Sequence, residues 1–158
     1  MMFKSLISFI IIVYTTLAPL IATANASDLA KAELIKGTWN CKINVALVGM
    51  NMSIIMQNTF ANDHTAIGQG LVKVTNYGIG MDLAYDVKVA QTWFVKEGIL
   101  YQTITASAIN SLKSSFYESL YDTNSLLPAG QQEATKIVSI NESNFLGLYN
   151  GMDLYCDR

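Results

Sequence analysis

Apolar and polar residues alternate with a period of two along most of the chain after residue 38. The clearest run places apolar side chains at every second position, namely Met81, Leu83, Tyr85, Val87 and Val89. Because successive side chains of a strand point to opposite faces, this alternation predicts a strand with one buried face. Trp93 and Val95 continue the same apolar face.

The same pattern, separated by turn-forming residues, predicts eight strands. The turn signals include Asn62-Asp63-His64, Asn76 to Gly80, Lys96-Glu97-Gly98 and Asn150-Gly151. The predicted strands cover residues 39–47, 50–60, 66–75, 81–95, 99–106, 135–140, 145–149 and 152–156.

Two segments have the pattern of helices instead. Residues 27–35 combine a capping serine, early acidic charge and good helix formers, and Gly37 follows. Residues 114–125 contain Ser115 and Glu118 at the spacing of a capping box, and Pro128 follows. The chain is therefore predicted to be mainly β, with a short N-terminal helix and one helix near 114–125.

Short strands at this spacing favour an antiparallel barrel or a sandwich. We expect a barrel of about eight strands, because closure removes the exposed strand edges that promote aggregation.

The N-terminus has the three parts of a secretory signal peptide. Lys4 is followed by the apolar run 6–14, and Ala24-Asn25-Ala26 offers small residues for cleavage before Ser27. An uncleaved membrane anchor is the alternative, since residues 6–22 approach the length of a span. With cleavage, residues 27–158 form a single secreted or periplasmic domain without a membrane anchor.

Charge excludes one class of partner. Without Lys4, the basic residues fall from 10 to nine against 12 acidic residues, so the net charge moves from −2 to −3. No basic run is present, and we expect no binding to nucleic acid.

Cys41 and Cys156 are the two cysteines of the chain. In an oxidising compartment such a pair predicts a disulfide, and both lie on apolar faces of predicted strands. Two unrelated thiols are the alternative.

Gly37-Thr38-Trp39, which follows a short helix and opens the first strand, resembles the G-x-W signature of lipocalin-type barrels, a branch of the calycins. This resemblance implies that Trp39 packs across the closed end of the barrel. It also implies that the interior receives a small, usually apolar ligand. The basic residue that the family places near its final strand would correspond to Arg158.

Residues with catalytic potential form no known motif. His64 is the lone histidine and lies in a predicted turn, so no zinc site or other metal site is expected. Asp82 and Asp86 share a polar strand face, which is more often solvated than catalytic. We expect no cofactor, and an enzyme ranks third among the functional hypotheses.

The leading hypothesis is a non-enzymatic protein that binds a small apolar molecule. Flexible methionines and aromatic residues on the inward faces suit an adaptable cavity, although they also suit a plain core. The candidate ligand-binding residues are Met52, Met56, Phe60, Met81, Tyr85 and Trp93.

The alternative hypothesis is a periplasmic inhibitor or immunity-type protein that neutralises a toxin or hydrolase. Its expected contacts are the loop 62–64 or the predicted helix around residues 116–121.

Overall fold

The computed structural model describes residues 25–113 and 127–158. In chain order the elements are one helix and eight strands: α1 (Ala26–Ile35), β1 (Gly37–Leu47), β2 (Met50–Phe60), β3 (Thr65–Asn76), β4 (Met81–Lys96), β5 (Ile99–Ser111), β6 (Gln132–Ile140), β7 (Asn144–Tyr149) and β8 (Met152–Asp157). The strands lie where the alternation predicts them, except that β5 continues to Ser111. Helix α1 also lies where predicted, but Asn25 rather than Ser27 is its N-cap, because the Asn25 side chain accepts the Ser27 amide. The helix predicted near 114–125 falls outside the described residues.

The eight strands form a closed antiparallel barrel in sequence order. Each strand pairs with the next one along the chain, and β8 returns to pair with β1. The predicted fold class, a mainly β protein with a barrel of eight strands, is therefore confirmed. Closure pairs both edges of the sheet near α1, which is the physical advantage expected of this architecture. Among the described residues, the pairing of β5 with β6 ends at Thr103 and that of β1 with β8 ends at Ile43.

The strands differ in length, which makes the barrel wall uneven. β4 and β5 contain 16 and 13 residues, whereas β7 and β8 contain six each. Five residues of β5, Ile99 to Thr103, pair with β6. The wall formed by β2 to β5 therefore extends beyond the wall formed by β6 to β8, at the end opposite α1. We call these the long wall and the short wall.

A disulfide joins Cys41 to Cys156, as the sequence predicts. The two residues are register partners in the β1–β8 pairing that closes the barrel, and their Cα atoms are 4.0 Å apart. Both are buried. The covalent bond thus joins the first strand of the barrel to the last.

Apolar side chains fill the end of the barrel that α1 covers. Trp39 and Phe145 pack edge to face with ring centroids 6.1 Å apart, and Phe60 and Trp93 do so at 5.5 Å. We call the buried set the closed-end cluster: Ile35, Trp39, Cys41, Phe60, Ala66, Trp93, Leu100, Ile137, Phe145 and Cys156. This end of the barrel is a packed core rather than a cavity.

Helix α1 is attached to the barrel by a buried carboxylate. Asp28 is only 7% exposed and accepts hydrogen bonds from the backbone amides of Glu97 (2.7 Å) and Gly98 (2.9 Å) in the β4–β5 turn. At the other end of the helix, the Ile35 carbonyl accepts a hydrogen bond of 2.7 Å from the Trp39 indole. These contacts hold the helix across the closed end.

Two glycines permit a close approach of β3 to β2. A Cβ atom on Gly70 would lie 2.0 Å from the Ile55 carbonyl oxygen, and one on Gly68 would lie 2.5 Å from Asn58 Oδ1. At Gly70 the close atom belongs to the backbone, so a larger residue would require the strands to move, whereas at Gly68 side chains would have to move.

Candidate functional site

A cavity of about 210 Å³ lies inside the barrel, beyond the closed-end cluster. A second cavity of about 170 Å³ shares Val72, Val87 and Leu127 with the first, so the two adjoin. An engineered apolar cavity of about 150 Å³ is large enough to bind benzene. The barrel interior therefore has room for a ligand of about one aromatic ring with a short side chain.

One side of the main cavity is apolar and belongs mostly to the long wall. Alternation on β2, β3 and β4 points every second side chain inward, and these positions carry branched or thioether side chains. The apolar lining residues are Cys41, Ile43, Ile54, Met56, Val72, Val87, Val89, Ile104, Leu127 and Leu154.

Polar side chains form the other side of the cavity. They are Asn58, Gln91, Gln102, Glu133, Thr135 and Tyr149. We call them the interior polar cluster. Most of them belong to β4 to β7, so the two sides of the cavity differ in chemistry.

Hydrogen bonds connect the interior polar cluster. Gln102 donates to the side-chain oxygen of Gln91 at 2.8 Å. Tyr149 donates its hydroxyl to one oxygen of the Glu133 carboxylate, and Gln131 donates its side-chain amide to the other. No buried side-chain nitrogen or oxygen in the described ranges lacks a partner. Four of the six cluster residues, Gln91, Gln102, Glu133 and Tyr149, are thus held in two pairs by bonds within the protein.

Tyr149 has a perturbed acidity. Burial raises the pKa of the Tyr149 hydroxyl well above its usual range, and the hydrogen bond with Glu133 and its charge raise it further. The hydroxyl therefore keeps its proton across the physiological range and remains a donor to the carboxylate.

The residues predicted to bind a ligand do not share a single location. Met56 borders the main cavity, and Tyr85 borders the adjoining one. Met81 packs against the buried cluster that Leu83, Tyr85, Val87 and Val89 form on β4. Met52 occupies a half-buried position on β2. Phe60 and Trp93 belong to the closed-end cluster.

The interior polar cluster was not among the predicted site residues. Gln91 lies between Val89 and Trp93, at an inward position of an otherwise apolar face, and Asn58 lies similarly between Met56 and Phe60. A polar residue at an inward position of an apolar strand face is the sequence signal that could have identified Gln91 and Asn58 as site residues. Glu133 precedes the predicted strand 135–140 and so had no assigned face.

The turn at Asn62 to His64 lies at the closed end, away from the cavity. Hydrogen bonds from the Thr65 hydroxyl (2.6 Å) and amide (3.0 Å) lower the pKa of the exposed Asp63 carboxyl. The His64 ring packs against Trp93, with centroids 5.2 Å apart. These contacts assign a structural role to the turn. The segment 116–121, the other expected partner contact, lies outside the described residues.

Within residues 25–113 and 127–158, no group of three or more His, Cys, Asp or Glu side chains is placed to hold a metal ion. In the same ranges, no helix has the length and apolar character needed to span a bilayer.

The chain was also compared with known proteins. It matches no protein-family model and no curated protein.

Proposed function

We propose that this chain is a secreted or periplasmic, non-enzymatic binding protein whose barrel interior holds a small, largely apolar molecule. The observation that carries the proposal is the cavity of about 210 Å³ inside a closed barrel, beyond a closed end that is fully packed. Small-molecule sites are typically concave and mostly apolar with a few fixed polar groups, and this cavity has that composition.

The lipocalin-like resemblance supports the same proposal. Trp39 is fully buried and packs across the closed end, as the resemblance implies. Arg158, which would correspond to the family's basic residue near the final strand, lies over the Trp39 ring. Both contacts are compatible with a lipocalin-like barrel.

Binding can be tested on the chain lacking residues 1–26, with toluene and 2-phenylethanol as probes. We expect saturable binding by ligand-observed NMR and an increase in melting temperature, because a ligand that binds only the folded state stabilises it. Native mass spectrometry of gently purified protein would also detect a retained molecule.

A matched pair of variants locates the bound probe. Val72 borders both cavities, whereas Val138 is 56% exposed on β6. Val72→Phe places a ring in the cavity and is expected to abolish probe binding, while Val138→Phe leaves it intact. Equal binding by both variants, or no binding by the unmodified chain, would contradict the proposal.

The proposed location has its own test. Expression of the full chain in a bacterium should yield an exported protein that begins at Ser27. Its intact mass should correspond to residues 27–158 with one disulfide. A product that retains residues 1–26 in the membrane fraction would favour the uncleaved anchor instead.

One observation favours the second candidate function, inhibition of a protein partner. The β1–β2 and β3–β4 turns expose Leu47, Val48 and Tyr77 at the end of the barrel opposite α1. The Tyr77 amide donates to the Gly49 carbonyl at 2.9 Å, which holds these turns together. Replacing Val48 and Tyr77 with aspartate and serine should then prevent capture of a periplasmic hydrolase that the unmodified chain inhibits.

A further inference from the structure

The charge inside the cavity narrows the class of ligand. Glu133 is the one acidic side chain among the described residues that line the cavity, and no Lys, Arg or His is among them. The ion pairs found in the described ranges, Lys36–Glu33 and Lys113–Asp82, lie elsewhere on the surface. The carboxylate therefore faces the cavity without a cationic partner from the lining.

The hydrogen bonds of Glu133 leave part of its capacity unused. A carboxylate offers roughly four lone-pair positions. Tyr149 and Gln131 each supply one donor, to different oxygens. The two donors fix the carboxylate in place, and further donors can still approach it from the cavity.

The surroundings make a positively charged donor the best complement. Ile104 and Leu154 line the same cavity and reduce the local dielectric, which strengthens the attraction between opposite charges. A charge-assisted hydrogen bond is roughly twice as strong as a neutral one. An anionic ligand would instead place like charges together in an apolar enclosure.

We propose that the ligand is a small amphipathic amine: its protonated amino group contacts Glu133, and its apolar part lies against the long wall between Val72 and Val87. This inference rests on the proposed binding function and specifies the chemistry of the same cavity. The volume limits the apolar part to about one ring or a chain of similar size.

Three probes of nearly equal size separate the contribution of charge: 2-phenylethylamine, 2-phenylethanol and phenylacetate. Their affinities for the chain lacking residues 1–26 can be measured by isothermal titration calorimetry at neutral pH. We expect the amine to bind at least tenfold more tightly than the alcohol, and phenylacetate to bind least.

The variant Glu133→Gln keeps the shape of the side chain and removes its charge. We expect the ratio of amine affinity to alcohol affinity to fall to within about threefold of unity. Glu142→Gln is the matched control, because Glu142 is an exposed turn residue. It should retain the ratio of the unmodified chain.

The outcomes distinguish this inference from the proposed function. Binding of the alcohol without preference for the amine, or a preference that survives Glu133→Gln, overturns the amine assignment and leaves the binding function standing. Tightest binding of phenylacetate also overturns it. If none of the three probes binds, both proposals fail.

Discussion

The guanidinium carbon of Arg158 lies 4.2 Å from the centroid of the Trp39 ring. The same side chain donates to the Lys36 carbonyl at the end of α1 (2.7 Å) and to the Glu142 carbonyl in the β6–β7 turn. Arg158 therefore contacts the end of the helix, the β6–β7 turn and the buried indole of Trp39, and so links the three.

Arg158→Ala removes this cation–π contact and both carbonyl hydrogen bonds. We expect a loss of about 1 to 2 kcal/mol in the free energy of unfolding, measured with urea. Tryptophan emission should shift to longer wavelength because the indole of Trp39 becomes more accessible to water. Arg158→Lys should recover part of the loss, since it keeps the charge without the planar stack. Equal stability of the alanine variant and the unmodified chain would refute a structural role.

Removal of the disulfide should destabilise the barrel strongly. The bridge closes a loop with a sequence separation of 115 residues. The chain-entropy model gives about 4 to 5 kcal/mol for a loop of this size. The double variant Cys41→Ala, Cys156→Ala should therefore unfold at a much lower urea concentration, and a reductant should shift the unmodified chain similarly. If the reductant leaves the unfolding midpoint unchanged, the bridge contributes little to stability.

Asp28→Ala should loosen the attachment of α1. The carboxylate accepts two backbone hydrogen bonds in a buried position, so its removal leaves the amides of Glu97 and Gly98 without their partner. We expect a cost of about 2 to 3 kcal/mol and faster hydrogen exchange at these two amides. Glu33→Ala, on the exposed face of the same helix, is the control. Unchanged exchange in Asp28→Ala would show that the contact does not hold the helix.

Tyr149 should make the protein lose stability as the pH becomes alkaline. The pKa of the Tyr149 hydroxyl is raised in the folded state. Its contribution to the free energy of unfolding is therefore complete below the ordinary tyrosine pKa of about 10, and it is lost as pH rises from there through the raised pKa. The unfolded chain releases the proton first, which favours unfolding. Tyr149→Phe should therefore lose stability less steeply above this pH than the unmodified chain. Tyr77→Phe, at a residue 70% exposed, is the control. Identical slopes for Tyr149→Phe and the unmodified chain would contradict this assignment.

Much of the fold could be predicted because alternation is a local property. Strand β4 shows this best, since inward positions from Met81 to Trp93 are apolar apart from Gln91.

Strand β5 was predicted too short, ending at residue 106 rather than Ser111. The structure explains the difference by a bulge. Gln91 pairs with Ile104, whereas Ala90 pairs with Ala106, so Thr105 is an extra residue. The inward face changes from even to odd positions there, and the pattern of alternation is interrupted.

The candidate site was harder to predict than the strands. Gln91, Glu133 and Tyr149 are far apart in sequence, and only Gln91 stands out, because it occupies an inward position of an apolar face. Their proximity depends on strand register, since Gln102 pairs with Glu133 and Thr135 pairs with Tyr149. Register is a relation between strands, which a single run of residues does not specify.

The sequence by itself determined the approximate strands, the helix predicted at residues 27–35 and the two cysteines available for a bridge, because these depend on side-chain periodicity and residue type. Only the tertiary structure decided how the interior is divided. Phe60 and Trp93 have the same inward parity as Met56 and Val89, yet they pack solidly beneath α1, whereas the latter two border a cavity. Position along the barrel axis separates them. That position is fixed by closure between β1 and β8 and by the unequal lengths of the two walls.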